Sequence, residues 1–361
     1  MSKLISKSKV IEQDLIEYIL THNALRSADY TNPSAQLSRQ LYRAQHPTEI
    51  LVAKCMDGRL NLGVYTEVPP GILQPFRNVG GKFDLGWPFY QEVIRDTVDY
   101  AITKGRGCLL VSSYHFSKSD THRGCAGFGY DTDAAKDAAL ELKNQYTHVY
   151  GDAVGRPVYG LMIGIETDEE SLVFHGVQSD TLTVADFPAD SSEVNIKSQV
   201  EKLYPDMDPK MHNDLVPLIA GNIRHIAKVR ASNKEPIDLE HREQIIAVGR
   251  GFDWLHQPNR ALIVGPYSHS WPTAVKTAGT IALSNLKEGR IPTESGVLLL
   301  VAALWRSDER EVGRRLKEEK VRYLRKTAED VLRSEVPDLV PHLHVLGGVV
   351  DADTRKFHPM N

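Results

Sequence analysis

The sequence predicts an α/β fold: a mostly parallel sheet flanked by helices, laid down twice along the chain. Three observations predict it. Short apolar runs rich in β-branched residues alternate with segments of helical spacing, as expected for strands covered on both faces. Each run stops in a polar turn punctuated by glycine. The same order of runs and helices starts again near residue 245. At 361 residues the chain is too long for one ordinary core, so more than one domain is expected. The boundaries fall at 1–45 for an N-terminal helical segment, 46–235 for the domain carrying the chemistry and 236–361 for the second copy.

Residues 1–45 read as helical with a break at Asn32-Pro33-Ser34. The opening stretch, MSKLISKSKVIEQDLIEYIL, carries Glu12, Asp14 and Glu17 and lacks the unbroken apolar core of a signal peptide. TEILVAKC (48–55), bounded by His46-Pro47 and Asp57-Gly58, is a buried strand. A loop through Pro69-Pro70-Gly71 leads to a second strand near 76–79, closed by Gly80-Gly81. From Trp87-Pro88 to Gly105 the pattern is helical: Pro88 suits the first turn, Val93, Val98 and Ala101 recur at helical spacing, and Gly105 can end it. GCLLVSSYHF (107–116) is the next strand, and the turn GCAGFGYDTD opens a helix over 132–146. VYGLMIGIETD (158–168) is another buried strand, and 180–245 is helical with breaks near Tyr204-Pro205 and Asn233–Pro236.

The repeat shows in several places. IIAVGRGFDWL (245–255) lines up with ILVAKCMDGRL (50–60), setting Asp253 against Asp57. ALIVGPYSHSWP resembles FRNVGGKFDLGWP, and Trp87 to Gly105 and Trp271 to Gly289 both span 18 positions. GVLLLVAALW lies on GCLLVSSYHF, and VLGGVVDADTRKFH on MIGIETDEESLVFH. The second copy is expected to be degenerate, with Gly251, Leu304 and Arg314 where the first has Cys55, His115 and Cys125.

Charge and cysteine usage narrow the function classes. A net charge of −4 gives no electrostatic reason for nucleic acid or an anionic membrane as partner. No apolar stretch reaches the roughly 20 residues that span a bilayer. Three cysteines, an odd count, argue against a disulfide framework and for a reducing, cytoplasmic setting.

The chemistry is expected at Cys55, His115 and Cys125. Two thiolates and an imidazole suit zinc, and three protein ligands leave a fourth tetrahedral position open, as catalytic zinc requires. Cys55 closes an apolar strand, so its thiol lies at the mouth of a parallel sheet, where open α/β folds place ligands. Asp57 follows at two residues, and Arg59 can pair with it bidentately, keeping it ionised. His122 competes with His115, because it stands three residues before Cys125, a usual ligand spacing. The strand-end position favours His115, which a strand would hold in one orientation. Cys125 precedes a helix whose N-terminal amides would help hold a thiolate. Cys108, inside an apolar run, is a core residue. Gly80 and Gly81 either line a pocket with backbone amides or form a plain turn.

C-M-D-G-R, R-N-V-G-G, a strand ending in His and a nearby G-C-A-G together resemble the β-class carbonic anhydrases. Y-H-F-S…H-R-G-C-A-G-F-G and L-M-I-G-I-E-T-D-E-E-S-L-V-F-H are similar, more narrowly, to the divergent carboxysomal shell carbonic anhydrases. The resemblance covers roughly 45–180, with the family's degenerate copy over 240–361. It implies a β-carbonic-anhydrase-like fold arranged as an internal pseudo-dimer. It also implies Zn2+ held by Cys55, His115 and Cys125, with Asp57 and Arg59 as the catalytic pair. The activity implied is reversible hydration of carbon dioxide to bicarbonate by zinc-activated hydroxide, whose proton Asp57 accepts. The stretch before Cys55 is short, so the shell enzymes' long N-terminal region is expected to be missing, which weakens an expectation of carboxysome packaging. A homo-oligomer is compatible with the reading. The rivals are a carbon disulfide or carbonyl sulfide hydrolase on the same site, a form closed by Asp57 rotating onto the zinc, and a catalytically silent zinc-stabilised scaffold.

Overall fold

A computed structural model describes residues 15–151, 158–232, 241–255 and 259–360. The expected helix over residues 1–14 and the break at Asn233–Pro236 lie outside the described residues. The chain forms two compact units: Pro33–Glu240 with Val264–Trp271, and Met1–Asn32 with His241–Ile263 and Pro272–Asn361.

In chain order the elements begin with α1 (Leu15–Thr31) and α2 (Pro33–Gln45), separated at Asn32 because Pro33 cannot continue a helix but starts one well. Next come β1 (Glu49–Cys55), α3 (Leu62–Tyr65), β2 (Leu73–Asn78), α4 (Pro88–Thr103), β3 (Cys108–Phe116) and α5 (Thr132–Tyr146). They are followed by β4 (Val158–Glu166), β5 (Ser171–His175), β6 (Thr181–Thr183), α6 (Glu193–Leu203) and α7 (Pro209–Ala231). The rest is β7 (Ile245–Gly249), β8 (Ala261–Val264), α8 (Trp271–Lys287), β9 (Val297–Trp305), α9 (Arg310–Glu335), β10 (Leu343–Asp351) and β11 (Phe357–Pro359).

The larger unit holds a six-stranded sheet ordered β2-β1-β3-β4-β5-β6. All seven residues of β1 are buried, and parallel ladders to β2 and β3 satisfy its backbone on both edges. α4 buries Tyr90, Ile94, Val98 and Ala101, one stripe at helical spacing, against Leu51, Ala53 and Leu110 of the sheet. Each such aliphatic side chain contributes about 1.5–3 kcal/mol of burial. Tyr267, from the short 264–271 segment, stacks among Phe76, Phe83 and Tyr90 in this core. α5 starts where Asp131 accepts a hydrogen bond from the Ala134 amide.

The smaller unit holds a five-stranded sheet ordered β11-β10-β9-β7-β8. Its core combines Leu15 and Ile19 of α1 with Ile245, Ala247, Leu298, Leu300 and Val350. α1 is fastened by polar contacts as well: Asn23 donates to the Arg355 carbonyl, and the Phe357 amide donates to the Asn23 side chain.

The expected mostly parallel sheets are present, and within them β4–β5, β5–β6 and β10–β11 are antiparallel. The reason is length: four residues join β4 to β5, too few for a parallel crossover, which needs a dozen or more. The repeat's register departs from the expectation. Ile50 lies opposite Leu109 and Ile245 opposite Leu298, so matching the ladders rank by rank sets Arg250, not Gly251, level with Cys55. The F-H endings fall out of step by two positions, since Met162 lies opposite Ser112 and Gly347 opposite Val301. What β4 and β10 share is a terminal carboxylate, Glu166 or Asp351, that accepts the amides two and three residues on.

Candidate metal centre

Cys55 ends β1, His115 sits one residue before the end of β3, and Cys125 lies in the turn leading to α5. Adjacent parallel strands bring the first two side chains to the same sheet mouth. The 117–124 loop then returns the third. The ligand atoms of Cys55, His115 and Cys125 all lie within 4.8 Å of one another, and the three residues are buried, at 6%, 2% and 3% exposure. The two sulfurs are 3.9 Å apart, too far for a disulfide. Two thiolates bound about 2.3 Å from a tetrahedral zinc would sit about 3.8 Å from each other.

His115 supplies a second test of fit. Among the described residues neither of its buried ring nitrogens has a hydrogen-bond partner. An imidazole so placed is costly to bury unless something else takes a lone pair. A metal does that. The contact between the two thiols draws Cys55 well below its ordinary range, and that contact together with burial pushes Cys125 up. Thiolate is the form that binds metal. The residues therefore fit a zinc ion. Cys108, by contrast, is fully buried at the start of β3, where burial and then Glu49 push its thiol up, as befits a core residue.

Asp57 is 4% exposed and sits in a fork. Arg59 Nε lies 3.0 Å from Oδ1 and Nη2 2.6 Å from Oδ2, while the Arg59 amide donates to Oδ1 at 2.8 Å. The fork takes up both carboxylate oxygens, and Asp57 is not part of the Cys-His-Cys group. Arg59 is itself held at two points. Its Nη2 donates to the Arg123 carbonyl at 3.2 Å, and its own carbonyl accepts from the Tyr65 hydroxyl at 2.6 Å.

The loop between His115 and Cys125 is shaped by Asp168, beyond the end of β4. Its carboxylate accepts from the Ser117 hydroxyl and from the Lys118 and Ser119 amides at 2.8–2.9 Å. Burial alone would raise its pKa, but the Ser119 amide and Ser117 hydroxyl outweigh that and hold the carboxyl below the usual range. His122 lies on this loop with its side chain 79% exposed, facing Asp120 rather than the cysteines. The structure thus brings His115, not His122, to the two thiols.

Three glycines let the turns close on each other. Gly80 and Gly81 have φ of +62° and +66°, the left-handed region that favours glycine. A Cβ on Gly127 would lie 2.7 Å from the Gly80 nitrogen. Gly80-Gly81 is therefore a close-packing turn against the Cys125 segment. Lys82 covers it, donating to the Gly127 carbonyl at 2.9 Å with its ammonium over the Phe128 ring.

Sequence reasoning missed Asp168 and Tyr65. The T-D pair closing an apolar strand was a legible signal for an anchoring carboxylate. Nothing local marks Tyr65, whose contact with Arg59 depends on the α3 turn. Among the described residues no helix is long and apolar enough to cross a membrane.

Comparison with known proteins agrees with this geometry. Residues 44–200 match the family model described as the carboxysome shell carbonic anhydrase catalytic domain. Over 244 residues the chain is 28% identical to the carboxysome shell carbonic anhydrase of Hydrogenovibrio crunogenus, covering 56% of this chain and 44% of that protein. Over 252 residues it is 27% identical to the one from Halothiobacillus neapolitanus, covering 58% and 48% respectively. The chain spans less than half the length of either relative. The matched stretch contains all three converging side chains and the Asp57–Arg59 fork, and residues 44–200 are similar to that family's catalytic domain.

Proposed function

We propose that this chain is a zinc-dependent carbonic anhydrase that interconverts carbon dioxide and bicarbonate. The observation that carries the reading is the convergence of two thiols 3.9 Å apart with a buried imidazole lacking any hydrogen-bond partner among the described residues. Cys55, His115 and Cys125 would hold the zinc. When bound, zinc supplies a water acidified to near neutrality, from about 15.7 to about 7. The chain's own residues do the rest. Asp57 accepts a hydrogen bond from the reacting water and so directs its lone pair at the substrate carbon. Arg59, through the fork, keeps that carboxylate ionised and fixes its rotamer. Burial of the site excludes bulk water and strengthens each of these contacts.

Supporting a pseudo-dimer reading, both sheets run in the same strand order when β7 to β11 are matched to β1 to β5. On that reading the catalytic domain spans 46–235 and a degenerate copy spans 236–361. Association with a carboxysome is likewise a proposal, resting on what the two relatives are named for.

The test is stopped-flow hydration of carbon dioxide against zinc content, with Asp57→Asn alongside. The expected result is a rate proportional to bound zinc, and a variant that keeps its zinc but loses about a hundredfold or more in kcat. Zinc-loaded protein that leaves carbon dioxide untouched but hydrolyses carbonyl sulfide, or does neither, would overturn the assignment.

A further inference from the structure

Hydration releases one proton per turnover, and the buried centre must pass it to solvent. We propose that His122 is the proton-transfer residue, an inference that rests on the carbonic anhydrase reading above. Three chain steps, spanning at most about 11 Å, separate it from Cys125. Its ring is 79% exposed, whereas His115 in the same segment is buried. Its position is fixed from three sides. The neighbouring Arg123 carbonyl accepts from the catalytic fork at Arg59 Nη2. The His122 ring packs 5.3 Å from the Tyr130 ring, and the Tyr130 amide donates to the Cys125 carbonyl. The His122 amide donates to Asp120 Oδ1 at 3.0 Å, and its Nδ1 faces the same oxygen at 3.4 Å.

The charged and titratable groups around the ring are therefore Asp120, Arg123 and Tyr130. With Nδ1 turned to Asp120, Nε2 is the atom that accepts. Water leaving the Asp57 side delivers the proton to His122 Nε2, and a buffer base removes it, so the ring returns to neutrality each cycle. Three other histidines of this unit already have partners. His46, His212 and His225 are tied to Asp214, the Tyr204 carbonyl and Glu170. His269 is exposed and next to Ser268, which contacts Asn78, and serves as the comparison.

The experiment compares zinc-loaded wild type, His122→Ala and His269→Ala at low and high imidazole concentration. In His122→Ala, kcat at low buffer should fall about tenfold or more while kcat/KM stays unchanged, and imidazole should restore it. His269→Ala should match wild type. Zinc content of His122→Ala should be unaltered, and imidazole 15N spectra of the zinc-loaded protein should place the metal on His115 and not on His122. A kcat unmoved in His122→Ala, a loss without rescue, a loss of zinc, or an effect confined to His269→Ala would overturn the proposal. Zinc-loaded wild type without hydration activity would instead remove the reading beneath it.

Discussion

Cys55 and Asp57 stand two positions apart and have separable roles. Cys55→Ser replaces a thiolate, one of three soft donors, with a hydroxyl that stays protonated, so the variant should fold and lose its zinc on dialysis against a mild chelator. Metal analysis of the dialysed protein checks this; retention of zinc at the wild-type level would mean that Cys55 is not a ligand. Much at this scale was legible. A cysteine closing an apolar strand, followed at i+2 and i+4 by Asp and Arg, announces both a donor and an oriented carboxylate, and the fork is present at 2.6–3.2 Å. The choice between His115 and His122 was less so, because spacing to Cys125 favours His122, which the fold does not bring to the thiols. Burial decides it, and burial comes from β3 lying between β1 and β4, a long-range pairing that no local spacing encodes.

Among the elements, the turn after β2 and the turn at Cys125 meet backbone to backbone. A methyl on Gly127 would press within 2.8 Å of both the nitrogen and Cα of Gly80. Main chain cannot yield as a flexible side chain can, so Gly127→Ala should destabilise the fold by about 1–3 kcal/mol and weaken zinc retention together. Urea unfolding and a zinc-binding titration measure the two effects. The β4–β5 hairpin carries a different sensitivity. His175 Nε2 lies 2.9 Å from the Tyr114 hydroxyl, and burial, then Lys136, lowers its pKa from 6.5 to about 4. The unfolded chain takes up that proton near pH 6.5, while the folded one refuses it until about 4. Stability from this group is therefore fully present above that window and lost as pH falls through it. His175→Gln should flatten the pH dependence of the urea midpoint there by about 1–2 kcal/mol after discounting for partial exposure. An unchanged slope would place the titration elsewhere. Helices and parallel strands were readable from apolar spacing, since α5 begins and ends where expected. The antiparallel hairpins were not, because the short SLVFH run follows the 158–168 strand after only a few polar residues and carries no pairing signal of its own.

For the whole molecule, the question is what the second sheet retains. All three cysteines of the chain, Cys55, Cys108 and Cys125, belong to the larger unit. In the smaller unit, β7 runs out at Gly249 and Arg250, β9 presents Leu304, and Arg314 lies in α9. Asp253, one position past the residue level with Asp57, does have an arginine, but it is Arg355 of the β10–β11 turn at 3.3 Å rather than a neighbour at i+2. The smaller unit thus holds an acid–arginine pair without a cysteine beside it. Paired charge survives substitution around it because either partner left alone would be costly, whereas a zinc site fails with the loss of its thiolates. The chain should accordingly bind one zinc ion, not two. Equilibrium dialysis followed by metal analysis, with the protein concentration fixed by amino-acid analysis, gives the ratio directly. A second tightly held zinc that persists in a Cys55→Ser, Cys125→Ser double variant would show a metal site in the smaller unit built from histidine and carboxylate alone, and would overturn the view of that unit as a fold kept without its chemistry.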